Sequence, residues 1–480
     1  MRSLLLFLAS ALVLSAAPFS ARFEQIKRTA QPAELYTFLY ALPKGGDLHN
    51  HLGGAVRPEW WYAIATDPGR NGGDVYYTRT KFTAGLEPGR PLVLFHTIRR
   101  HTHEQLPPVL QADYERLDSL SPEHRQAWLD SLRLERPGEG RKEFFDAIWA
   151  RLDQLGDNLD VVGNALVETM RAYGAEGMKY LETQQGAMGF SDNDGHPVPP
   201  AAAADALRAR LARPDAVATG VTVRLQSTVL RFTATAEQRL ETLYRFVDAN
   251  RDLWVGINMA GIEENDKGHP ARFLAKYREL RSKLPTLALS IHGGEMDGPD
   301  SHVRDTLLLG ASRIGHGVNL IQDPDTLLLL QQTRRVLVEI NLISNRLLEY
   351  TPDLARHPFP EYLRTGIPVC LNTDDRGMWD SNLTDEYYTA VTTYNLSWDE
   401  LVQLGRNSLV HSFAQPDVKA RLLAEYERDV AEFEARYQAA DSLARLSRVK
   451  PVAYGYAKRT WGFSFPDGAQ AAEPAGGADR

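Results

Sequence analysis

Short runs of β-branched and other apolar residues recur along this chain, separated by stretches with helical periodicity. Eight such runs, at 47–52, 178–183, 221–230, 253–259, 287–292, 313–316, 336–341 and 368–372, have the length and character of strands. Between most of them, apolar positions recur at three- and four-residue spacing, as over 236–249 and 270–283, which predicts amphipathic helices. Strand and helix in alternation predict a parallel sheet, and eight repeats predict the α/β class in its (β/α)8 TIM-barrel form. A helical pattern over 34–41 leads into the first strand, and long helices over 399–437 follow the last. Residues 60–141 break the alternation. They hold Gly/Pro-rich pieces such as Asp67-Pro68-Gly69 and Arg136-Pro137-Gly138, with helical patterns over 112–120 and 122–132, and read as an insertion after the first strand that acts as a lid or a dimer element.

The polar residues that interrupt this pattern cluster where strands stop. His49 and His51 are two apart on the first predicted strand, so both would face one side. His292 ends the apolar run 286–291, and Glu295 lies past two glycines that allow a tight turn. His316 sits between Gly315 and Gly317, and Asp374-Asp375 follows another short apolar run. A fifth patch, 256–261, carries no ligand but sits in the same series, with Gly261 just past the fourth strand. Each residue alone has an ordinary explanation: a core histidine, an N-cap, or a carboxylate at a helix start. Together they sit where a barrel builds its active site. Three histidines and one aspartate suit a catalytic zinc that keeps a position open for water, which gives His49, His51, His292 and Asp374 as ligands of one ion per chain. Glu295, His316 and Asp375 remain for acid–base work and substrate contacts. Arg231, just past the third strand, reads as a surface ion pair or a pocket residue, and His411 as structural.

Composition narrows the choice. At 480 residues, with 43% hydrophobic and 24% charged positions, the chain can bury a large core. A net charge of −8, with no basic stripe carrying interleaved aromatics, argues against nucleic acid or acidic lipid as partner. The start, Met1-Arg2-Ser3 followed by an apolar run to Ala17, reads as a secretory signal, too short for a membrane span. The expected division is a signal peptide over 1–21, a catalytic barrel over 22–466 and a disordered Ala/Gly/Pro-rich tail over 467–480, with a periplasmic or secreted location and no membrane attachment after processing. Cys370 is the only cysteine, so no internal disulfide can form, and a zinc site built on an H-x-E and P-C-x-x-C pattern is absent.

The five motifs, in this order from about Pro43 to Asp375, resemble the adenosine and AMP deaminase family of zinc barrels. The stretch 43–55, PKGGDLHNHLGGA, is most similar to the secreted branch of that family, the adenosine deaminase-related growth factors and their bacterial relatives. The resemblance implies that His49, His51, His292 and Asp374 hold zinc and that Glu295 protonates the purine N1. It further implies that His316 orients or deprotonates the attacking water, that Asp375 accepts a hydrogen bond linked to N7, and that the Gly261 backbone contacts N3. The implied reaction is hydrolytic deamination of adenosine or 2′-deoxyadenosine, with a purine nucleoside as small-molecule partner and a homodimer as the assembly. The chain also departs from the family. Gly53 stands where a ribose-binding Asp is usual, Asn258 replaces a carboxylate before Ala260-Gly261, and Arg376 replaces a proline after the Asp pair. The alternatives are another mononuclear metal-dependent amidohydrolase, a deaminase of a modified purine, and a binding protein that has lost catalysis.

Overall fold

The computed structural model describes residues 19–83, 91–264, 266–284, 286–439 and 442–465. The expected disordered tail lies outside the described residues, as does all but the end of the expected signal segment. Residues 19–21 of that segment open a helix, Phe19–Thr29, whose Phe19 packs edge-on against Trp398 at 4.6 Å between ring centres.

Eight parallel strands form one sheet in sequential order: β1 Gly45–Asp47, β2 Met178–Gln184, β3 Thr222–Leu230, β4 Trp254–Ala260, β5 Ala288–Gly293, β6 Arg313–His316, β7 Leu337–Ile340 and β8 Val369–Leu371. The barrel closes between the residues that follow β8 and β1. There Asp374 N–H donates to the His49 carbonyl at 3.0 Å, and Leu48 N–H donates to Asn372 Oδ1 at 2.9 Å. Helices cover the outside, among them Ala236–Ala249, Leu274–Lys283, His302–Leu309, Pro324–Thr333 and Phe359–Thr365. Their starts are fixed locally: Asp323 caps Pro324–Thr333, and Ser397 with Glu400 forms a capping box for Trp398–Val410. Among the described residues, no helix is long and apolar enough to cross a membrane.

The (β/α)8 expectation is borne out, and most strand limits agree to within a residue or two. The first strand does not. The continuous ladder ends at Asp47, beyond which the stretch read as a strand to residue 52 makes only isolated bridges, Asn50 to Asp374 and His51 to Gln184, before a helical turn begins at Leu52. The Asp47 carboxylate explains the early stop, because its Oδ1 accepts from the His49 backbone and the Asn50 side chain, both at 3.1 Å. Side-chain bonds thus replace ladder bonds, as short polar side chains do at turns. The insertion also holds a surprise. The helix expected over 112–120 is a strand, Tyr114–Arg116, followed by one 3-10 turn. It pairs antiparallel with Tyr76–Arg79, which pairs in turn with Thr97–Arg99. Burial of Tyr114 with Ile98, Leu106 and Leu110 in a small separate core outweighs the helical spacing of the sequence. The helix expected over 122–132 is present as Pro122–Ser131, capped by Ser121.

The inside of the barrel is polar. Asp47, Glu182, Gln226, Asn258, Ser290, Arg313 and Glu339 are all buried, where such barrels more often pack branched apolar side chains. Arg313 pairs with Glu182 and with Glu339, each at 2.6 Å, and stacks on Phe413 at 3.6 Å from the ring centre. Removing a buried charge from such a triad leaves its partners uncompensated, so Arg313→Leu should lower unfolding stability by about 3–5 kcal/mol in urea titration. A loss below about 1 kcal/mol would mean the triad does not hold the barrel.

Candidate metal centre and active site

The residues singled out in the sequence converge at the C-terminal ends of the strands. His49 and His51 come from the link after β1, and their rings meet edge-on at 5.9 Å between centres. His292, next to last in β5, brings its ring to 4.4 Å from His49 and 5.3 Å from His51. His316, the last residue of β6, lies 4.7 Å from His49 and 5.2 Å from His292, again between ring centres. Past β8, Asp374 places Oδ1 at 3.6 Å from His49 Nε2 and 3.4 Å from His51 Nε2. Donor atoms of His49, His51 and Asp374 lie within 4.8 Å of one another, and so do those of His49, His292 and His316, and of Glu295, His316 and Asp374. Two of these residues hold backbone conformations that side chains rarely adopt, His316 at φ 63° and Asp374 at φ 52°. Strain of this kind persists where the surrounding fold enforces it.

The donor set fits a divalent cation. His49 Nε2, His316 Nε2, Asp374 Oδ1 and Asp375 Oδ1 are buried without a hydrogen-bond partner. Such atoms are costly unless something compensates them. The other side of three of the four candidate ligands is held. Glu339 Oε2 accepts from His49 Nδ1 at 2.7 Å, Asn258 Oδ1 lies 2.9 Å from His292 Nδ1, and Ser344 donates to Asp374 Oδ2 at 2.7 Å. These contacts turn a lone pair of His49, His292 and Asp374 towards the shared space, the role that outer partners play for metal ligands.

Glu295 reaches the site through Gly294, whose φ of 81° makes the tight turn. The buried Glu263 carboxylate fixes that turn by accepting the backbone N–H groups of Gly294 and Glu295 at 2.9 and 3.2 Å. Burial, reinforced by the charge of Asp374 and Glu263, pushes the Glu295 carboxyl well above the usual range and favours its protonated form. Burial and the same neighbour push Asp375 upward too. Asp375 sits so close to Gly54 that a Cβ there would lie 1.7 Å from its Oδ1, which accounts for that glycine.

The site opens into a cavity of about 440 Å³. Its floor is His292, Glu295, His316, Asp374 and Asp375, and its wall includes Phe144, Phe145, Trp149, Phe232 and Gly261. Where the resemblance places a ribose-binding Asp, Gly53 faces the Trp149 ring, and a Cβ on it would meet that ring at 3.0 Å. Arg231 is neither a surface residue nor part of this wall. It is fully buried and donates to the His292 carbonyl at 2.6 Å and the Met259 carbonyl at 3.0 Å. His411 caps the helix Trp398–Val410, and its carbonyl accepts from Arg313 at 3.2 Å. The supporting residues Glu339, Asn258, Glu263 and Asn345 were missed as site residues. The first two left a signal, a polar side chain inside an apolar strand run, which can only be satisfied inside the barrel.

A closed parallel barrel with imidazoles and carboxylates gathered at the C-terminal ends of its strands is the architecture of a barrel hydrolase with a metal centre. Comparison with known proteins narrows the class. The family model for adenosine deaminase matches residues 144–458. An adenosine deaminase of Enterococcus faecalis is 38% identical over 168 residues, covering 35% of this chain and 48% of that protein. An adenine deaminase of Chelativorans sp. is 32% identical over 208 residues, covering 43% and 62%. The chain thus spans about half to three fifths of these relatives. A solved amidohydrolase of Burkholderia ambifaria with bound Zn superposes with a TM-score of 0.62 at 22% identity, covering 87% of this chain and 97% of that one. The chain belongs to the adenosine deaminase family. His49 and His51 lie outside the matched segment, and the fold brings them to it.

Glu339→Gln keeps the shape of the side chain beneath His49 but removes its charge. Metal affinity, read by competition with a chelating dye, should fall about 10- to 100-fold. Unchanged affinity would show that Glu339 serves the barrel alone.

Proposed function

We propose that this protein removes the 6-amino group of an adenine nucleoside, adenosine or 2′-deoxyadenosine, by hydrolysis, yielding the 6-oxo product and ammonia. The observation that carries this reading is the placement of the buried Glu295 carboxyl beside the metal-type cluster at the floor of one cavity. His49, His51, His292 and Asp374 would hold the ion, read as zinc. Bound there, zinc would lower the pKa of a water towards neutrality.

The chain's own groups would do the rest. Glu295 gives a proton to N1, which withdraws electrons from C6 and opens it to attack by water. Of the two protons of the water that adds to C6, one passes to N6, which leaves as ammonia when the C6–N6 bond breaks, and the other returns to Glu295 and restores its acid form. His316 holds the attacking oxygen in place. Adenine N7 carries only a lone pair, so its partner must donate, and Asp375, whose carboxyl is pushed upward by burial and the charge of Asp374, would meet it in its acid form. This reverses the direction first expected of Asp375, where it was to accept. The Gly261 backbone, in the cavity wall, faces the N3 side. Phe144, Phe145 and Trp149 give the cavity an apolar wall beside a step that builds charge at both ends of the ring.

A relative is named an adenine deaminase, which makes the free base a second reading. The cavity favours the nucleoside, since 440 Å³ leaves room for a sugar beyond a purine ring. The test is ammonia release from adenosine, 2′-deoxyadenosine and adenine, with and without a zinc chelator. Chelator-sensitive turnover of the nucleosides, faster than of adenine, is expected, and turnover of adenine alone would overturn the nucleoside reading. Glu295→Gln should keep its metal and lose at least ~100-fold in turnover, the usual worth of a general acid. Near-normal turnover in that variant would remove Glu295 from the acid role.

A further inference from the structure

The three buried imidazoles at the centre of the site are not held alike. His49 and His292 each turn Nδ1 to an acceptor, the Glu339 carboxylate and Asn258 Oδ1. Nδ1 of each therefore carries a proton, and Nε2 is the atom left to offer a lone pair to an ion. His316 Nδ1 instead faces side-chain amide nitrogens, Asn345 Nδ2 at 3.0 Å and Asn341 Nδ2 at 3.3 Å.

The orientation of Asn345 follows from its neighbours. The backbone N–H of Phe359 can only donate, and it donates to His357 Nδ1 at 3.1 Å. His357 is 2% exposed, and burial pushes its pKa down to about 3, so it is neutral. A neutral imidazole that accepts at Nδ1 carries its proton on Nε2. His357 Nε2 lies 3.0 Å from the Asn345 side-chain oxygen and must donate to it. Turning the amide over would set N–H against N–H at this contact. The oxygen of Asn345 is thus committed to His357, and its NH2 group is committed to His316. His316 Nδ1 then accepts, and the ring proton moves to Nε2, the atom that faces the site.

We propose that the relay Phe359–His357–Asn345 locks His316 in the tautomer with its proton on Nε2, which makes His316 a hydrogen-bond donor to the reacting oxygen and bars it from the metal's ligand set. This rests on the metal-centre reading above and sharpens it. An N–H cannot coordinate a cation, so of the histidines that converge, only His49, His51 and His292 can be ligands. An N–H aimed at the site stabilises negative charge that develops on oxygen, and in this state it cannot take the water's proton. Asn345 and His357 are positioning residues, acting only through His316.

The test reads the tautomer directly. The full chain is labelled with 15N-histidine, stripped of metal and examined by long-range 1H–15N correlation, with His316 assigned by its loss in His316→Gln. The expected spectrum shows a protonated Nε2 and an unprotonated Nδ1, and the reverse pattern would overturn the proposal. Asn345→Asp replaces the donor beside Nδ1 with an acceptor. It should flip the tautomer and lower kcat at least ~100-fold with little change in KM, the scale on which a mis-set histidine tautomer impairs a hydrolase. His357→Gln, which keeps an N–H for Asn345, should retain the wild-type tautomer. A folded Asn345→Asp protein with the wild-type tautomer would overturn the proposal. Should that variant not fold, the wild-type spectrum still decides. Because the spectrum needs neither metal nor substrate, the expected tautomer in a protein that releases no ammonia would overturn the deaminase reading and leave the relay standing.

Discussion

Arg313 lies inside the barrel between two carboxylates, Glu182 and Glu339, and Glu339 in turn holds His49. This line of alternating charge runs from the packing of the barrel to the metal-type cluster. Charges so deeply buried are tolerable only when each is paired and hydrogen-bonded. Glu182 meets that requirement through the Phe413 backbone, and Glu339 through Ser290. The fold and the site therefore share one electrostatic framework. A barrel filled with branched apolar side chains would fold without it but would leave His49 free to rotate.

The framework also explains why the motifs sit where they do. Parallel strands end at one rim, and a side chain just past a strand end points into the mouth while its backbone stays tied to the sheet. Six elements contribute to the site in this way: the links after β1 and β8, the ends of β4, β5 and β6, and the turn at Glu295. The turn residues are glycines where space demands them, as at Gly294 and Gly54. Orientation comes from behind: the far sides of His49, His292 and Asp374 are held by Glu339, Asn258 and Ser344.

The strand order, the barrel and the convergence of His49, His51, His292, Glu295, His316, Asp374 and Asp375 could all be read from the sequence. Period-two and period-3.6 patterns survive in a barrel because each strand and helix has one fixed environment. Three things were not legible. The end of β1 depended on Asp47 capturing nearby donors, a side-chain event that leaves no periodic trace. The strand Tyr114–Arg116 depended on partners 35 or more residues away in sequence, which local spacing cannot report. The tautomer of His316 depended on a chain of contacts through Asn345, His357 and Phe359, and only three-dimensional neighbours define it. Glu339 and Asn258 fall between these cases, visible as polar residues in apolar strands but without an assignable role until the barrel closes.

The central claim is that one divalent ion sits among His49, His51, His292 and Asp374, with His316 beside it but not bound to it. An anomalous-difference map from zinc-loaded crystals tests this most directly. The account predicts one peak per chain, within bonding distance of His49 Nε2, His51, His292 Nε2 and Asp374 Oδ1. Two peaks, or a single peak bonded to His316 Nε2, would contradict it.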